Sequence, residues 1–132
     1  MRKFLILTAA CGLMACEGNT DMVFEVANNS SDTLEVSHRS QFDPRPTIQV
    51  LPDEVAEIAI HAMLGGQPEA MDMNITLTSG FQDTLVIRTV AGDACTKDWR
   101  ELNNWESEVE ELKKVPANWA HRYRFSVADA DF

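Results

Sequence analysis

Thr33-Leu34-Glu35-Val36-Ser37-His38 sets Leu34 and Val36 on one face and Glu35 and Ser37 on the other. That period of two is the mark of a strand with one side in a core and one side in water. Upstream, Met22-Val23-Phe24-Glu25-Val26-Ala27 is rich in strand-favouring residues. Between them, the short polar side chains of Asn28-Asn29-Ser30-Ser31-Asp32 accept and mimic turn hydrogen bonds. Residues 22–38 therefore predict a first hairpin. Downstream, Thr47-Ile48-Gln49-Val50 is a short strand. Leu51-Pro52-Asp53-Glu54 turns it into Val55-Ala56-Glu57-Ile58-Ala59-Ile60-His61, with Pro52 suited to a turn's second position. Met73-Asn74-Ile75-Thr76-Leu77-Thr78 aligns Met73, Ile75 and Leu77, and Asp83–Val90 is the most apolar run, expected at the centre of a sheet. In Trp119–Val127 the alternation returns, with Tyr123, Phe125 and Val127 inward and Arg122, Arg124 and Ser126 outward. The two prolines of residues 41–46 exclude a strand interior there.

One segment breaks the pattern. Trp99, Leu102, Trp105, Val109 and Leu112 are spaced by 3, 3, 4 and 3, which places them on one helical face. Asp98 with Glu101 three residues on reads as a capping box, and Lys113 and Lys114 suit the carboxyl end of a helix dipole. Pro116 closes the segment, because Val115 before it is pushed away from helical angles. Asn103-Asn104 are poor helix formers, so residues 98–114 read either as one helix or as two short turns. The whole is mainly β: an antiparallel, immunoglobulin-like β-sandwich of about seven strands, one domain over residues 22–132, with a short helical segment before the last strand.

At the amino end, Arg2 and Lys3 precede the apolar run Phe4–Leu13, which is too short for a stable membrane span, and Leu13-Met14-Ala15-Cys16 follows. This stretch resembles the type II signal peptide and lipobox of bacterial lipoproteins. The resemblance implies cleavage after Ala15, lipidation of Cys16, residues 1–15 as signal peptide and 16–21 as lipidated cysteine and polar tether. Two or more acyl chains hold a protein on a bilayer where a single one is marginal. An aspartate directly after the cysteine marks inner-membrane retention in such lipoproteins. Glu17 stands there instead, so the expected place is the outer membrane, on either side of it. Lipobox, strand count and the Tyr123-Arg124-Phe125 strand together resemble the small immunoglobulin-like lipoproteins of diderm bacteria.

Residues 1–15 hold two of the 11 basic residues and none of the 21 acidic ones, so their removal takes the net charge from −10 to −12. That balance argues against nucleic acid and against electrostatic docking on anionic lipid, and suits solubility, a basic partner or loose divalent-cation binding. Cys11 leaves with the signal and Cys16 carries lipid, so Cys95 has no disulfide partner within the chain.

No nucleophile elbow, phosphate loop or dinucleotide fingerprint is present, so no catalytic residue and no cofactor is assigned. His38, His61 and His121 lack metal-ligand spacing and read as surface residues near strand ends, so no metal site is assigned. Two features remain. Trp99, Trp105 and Trp119 would form a binding patch if they lay exposed; as core residues they would pack the helical segment over the sheet. Asp32-Thr33-Leu34 and Asp83-Thr84-Leu85 match a bacterial O-glycosylation acceptor at Thr33 and Thr84, and equally suit a strand start after a turn. The expected function is a non-enzymatic interaction or accessory module, anchored to the membrane through Cys16 and contacting another envelope protein. The alternative is a carbohydrate or small-ligand binding protein using the Trp-bearing segment 99–119.

Overall fold

The computed structural model describes residues 17–39, 46–66 and 84–132, and within them the alternating stretches form two β-sheets. β1 (Asn19–Asn29), β2 (Leu34–Arg39), β3 (Ile48–Val50), β4 (Val55–Leu64), β5 (Thr84–Thr89), β6 (Trp105–Lys113) and β7 (Asn118–Ala128) follow in chain order. One sheet runs β4-β1-β7-β6 and the other β3-β2-β5. Their inner faces share one apolar cluster. Phe24 and Val26 of β1 and Tyr123, Phe125 and Val127 of β7 meet Leu34 and Val36 of β2 and Ile87 of β5 there. Phe24 stacks on Tyr123 with ring centroids 5.3 Å apart and meets Trp105 edge-on at 6.0 Å. Two apolar faces closed on each other make the chain a β-sandwich.

Where the strands fall and which way their side chains point agrees with the alternation. Pairing does not. β1 and β2 form no hairpin; the Asn28–Asp32 stretch carries the chain from one sheet to the other. Asn28 governs that crossing from a fully buried position. Its Nδ2 donates to Asp32 O (2.7 Å) and Val50 O (2.9 Å), and its Oδ1 accepts from the Ser30 amide (2.9 Å) and hydroxyl (2.6 Å). Its backbone exchanges hydrogen bonds with the β3–β4 turn, N–H to Glu54 O and C=O from Asp53 N–H. In that turn the Glu54 N–H donates to Leu51 O (3.1 Å), and Asp53 takes φ 62°, the left-handed value of a type II turn's third position.

The sheets are not wholly antiparallel. β1 and β7 pair parallel along their full length, from Asn19 opposite Asn118 to Asn29 opposite Ala128. β1 therefore lies inside its sheet, between β4 and β7, and buries both faces. β5 pairs with β2 and stands at the end of the smaller sheet among the described residues, not at its centre.

The helical segment expected over residues 98–114 is a strand. Trp105–Lys113 is β6, antiparallel to β7, preceded by a single 3₁₀ turn at Leu102–Asn104. Asp98 makes no capping box; its Oδ1 accepts from the Arg100 N–H (2.9 Å) in an Asx turn. Register against β7 decides the outcome, since it sets Glu106 opposite Arg124 and Glu108 opposite Arg122. Opposite charges at facing ladder positions favour the strand, while the short hydrogen bonds of both arginines go to Glu25.

β1 starts at Asn19, inside the expected 16–21 tether. Cys16, the Met73–Thr78 strand and most of the 41–46 loop lie outside the described residues, and no helix within them is long and apolar enough to cross a membrane.

Candidate functional site

Alternation along β7 sends Arg122 and Arg124 to the outer face of the larger sheet, and the parallel register sets them beside Val23 and Glu25 of β1. Glu25 is nearly enclosed, at 9 % side-chain exposure. Arg122 Nη1 donates to its Oε1 at 2.8 Å, and Arg124 donates to its Oε2 through Nη2 at 3.0 Å and Nε at 3.2 Å. A carboxylate gripped by two guanidiniums satisfies its lone pairs and holds both arginines against the sheet. Opposite Phe24 and Glu25, β4 bulges by one residue at Ile58, which adjusts the β1–β4 register at this point.

β6 completes the face. Glu106 and Glu108 stand opposite Arg124 and Arg122, and Glu110 reaches Arg122 Nε at 3.7 Å. Glu106, Glu108, Arg122 and Arg124 line an open groove of about 300 Å³. Among the described residues Glu25, Glu106, Glu108 and Glu110 outnumber the two guanidiniums across the face, and both guanidiniums hydrogen-bond Glu25. With Glu110 beside Arg122, Glu106 and Glu108 are the acids of the groove left for a ligand, and they suit a cation. β6 is also an outer strand of the sheet, bonded on one side to β7 and on the other to no strand among the described residues.

The tryptophans do not form one patch. Trp105 is buried at 8 % exposure, packed between Phe24 and Phe125, and its Nε1 donates to Trp99 O at 2.6 Å. Trp99 is half-buried beside it, with the Arg100 guanidinium 4.3 Å from its ring centroid. Trp119 pairs with Glu111, six positions along β7 from the Phe125–Trp105 pair, or about 20 Å away. Of the expected glycan acceptors, Thr84 is exposed at the start of β5 and Thr33 is half-buried at the start of β2.

His38 and His121 are buried rather than exposed, both on inner strand faces, His121 opposite Met22 and Val109. His61 is half-buried on β4, and desolvation lowers its pKa. Among the described residues no group of three or more histidine, cysteine or acidic side chains is placed to hold a metal ion. Cys95 follows β5 and is half-buried. Burial raises its thiol pKa, the Asp131 carboxylate adds to the rise, and the Lys97 backbone N–H and charge work against it.

Sequence reading missed the Glu25 centre. The signal was present: a lone acid in the apolar run of β1 and two arginines at alternate positions of β7. Only the pairing of the two strands joins them. No protein-family model, no curated protein and no solved structure matches this chain.

Proposed function

We propose that this chain is a lipid-anchored protein of the cell envelope, held at the outer membrane through Cys16, whose immunoglobulin-like sandwich is a non-enzymatic interaction module. Its contact surface is the β6 edge with the acidic groove beside it, and its partner is an envelope protein that presents a basic extended segment. The anchor reading rests on Leu13-Met14-Ala15-Cys16 behind a basic and apolar leader.

The contact reading rests on β6. It is nine residues long and exposes Glu106, Glu108, Glu110 and Glu111. Like charges oppose edge-to-edge pairing between copies of this chain, whereas a cationic strand would gain both the free backbone groups and the carboxylates. The alternative, carbohydrate binding by the tryptophan segment, is weakened by the burial of Trp105 and by Arg100 over Trp99.

Crosslinking in intact cells followed by affinity capture of the mature protein tests the module. A stoichiometric partner that is retained by the wild type and lost with Glu106→Lys/Glu108→Lys supports it. Recovery of the protein alone, at native abundance, overturns it. Cys16→Ala tests the anchor: the variant should appear in the soluble fraction or remain unprocessed, and membrane retention of a correctly cleaved variant overturns the lipid reading.

A further inference from the structure

The four strands of the larger sheet end together at one pole. Asn19 of β1 is paired with Leu64 of β4 and with Asn118 of β7, and Asn118 with Lys113 of β6. Beyond that row lie Gly18, Gly65 and the turn of residues 114–117. Three large apolar side chains face water here: Leu64 at 84 %, Val115 at 79 % and Leu112 at 51 % exposure. Leu64 and Val115 are the two most exposed large apolar residues described.

The chain also enters at this pole, with almost no slack. The Gly65 N–H donates to Gly18 O at 3.1 Å, the Asn19 N–H to Ala117 O at 3.1 Å, and the buried Thr20 hydroxyl to Gly65 O at 2.6 Å. Gly18 lies so close to the turn that a Cβ there would collide with Ala117 O. Cys16 precedes Gly18 by two residues, and two residues reach at most about 7 Å.

We infer that this pole is a membrane-docking surface, with Leu64, Leu112 and Val115 seated at the phospholipid interface. The inference rests on the anchor reading of Cys16. A lipidated cysteine whose backbone lies within about 7 Å of Gly18 leaves the body little distance at which to stand off, and the pole it must present carries the two most exposed large apolar side chains described. Lys113 ends β6 and Lys114 opens the turn after it, two cations of an acidic chain placed at this pole to meet lipid phosphates. Glu17 and Glu111 are exposed at the same pole, so the apolar side chains lead the contact and it persists at high salt.

The test uses the lipidated mature protein, with Cys95→Ala, on vesicles of phosphatidylethanolamine and phosphatidylglycerol. An environment-sensitive fluorophore is placed by Val115→Cys at this pole or by Val90→Cys at the other, and quenched with lipids spin-labelled high in the acyl chain. Quenching about threefold or more stronger at 115 than at 90 is expected of side chains at the interface. Equal, weak quenching at both positions in vesicle-bound, lipid-bearing protein overturns the docking and leaves the anchor standing. A mass spectrum showing an unmodified Cys16 overturns the anchor, and the docking with it.

Discussion

At the scale of single residues, Asn28 has the largest structural consequence for its size. It is fully buried, and its side chain ties the end of β1 to Ser30 and Asp32 of the crossing and to Val50 of β3. Asn28→Ala should cost about 2–4 kcal/mol in urea unfolding, because carbonyls and a hydroxyl lose buried partners. Asn28→Asp should cost more, since it sets a carboxylate against the carbonyls of Asp32 and Val50. Asp53 offers the opposite case. Its φ of 62° favours glycine, so Asp53→Gly should be near neutral while Asp53→Val loses about 1–2 kcal/mol. Cys95 gives a pH dependence of definite sign. Its folded pKa is raised, so its contribution to stability is complete below the ordinary thiol range and is lost as pH rises through the folded value. Iodoacetamide should alkylate it more slowly than a free cysteine at mildly alkaline pH, and at the ordinary rate in denaturant. His61 runs the other way, its contribution falling as pH drops below the ordinary histidine range. The burial of the other two histidines was legible. His38 shares its parity with Leu34 and Val36, and His121 with Tyr123, Phe125 and Val127, so alternation alone assigns both to the inner face.

Among the elements, β6 shows how two periods can coincide. Trp105 and Val109 are four apart, a spacing that aligns side chains on a helix and on a strand alike. Leu112, at odd parity from both, fits only the helix, and it is the one left 51 % exposed. The glutamates at 106, 108 and 110 alternate as a strand's outer face should, but an acidic run reads as a solvated surface in either conformation. What separates the two is the row of arginines opposite, which lies in another part of the chain. Two substitutions examine the element from its two sides. Trp105→Ala removes an aromatic packed between Phe24 and Phe125 and should cost about 3–5 kcal/mol in denaturant unfolding. Glu25→Ala leaves Arg122 and Arg124 without their shared carboxylate. Both arginines are about a third exposed and can turn to water, so the loss should be nearer 1–3 kcal/mol.

For the molecule as a whole, the positions and facing of β1 to β5 and of β7 were legible because both are local. β6, read as helical, and the strand order were not, because they depend on contacts between distant segments. The Asn19–Asn118 pair spans 99 residues. Such topology predicts slow refolding, in milliseconds to seconds by stopped-flow fluorescence. It also predicts that backbone amides of β1 and β7 exchange with deuterium most slowly, with β3 and the outer side of β6 opening first. The parallel β1–β7 pair has a consequence for the order of synthesis. β1 is synthesised before β7, yet its place is the interior of a sheet that is completed only when residues 118–128 arrive. Until then, a strand that buries both its faces keeps one edge open, a template on which another nascent copy can pair. A chain arrested before β7 should therefore aggregate rather than remain as a smaller soluble domain. Supplying residues 118–128 in trans should suppress that aggregation by filling the vacant lane beside β1.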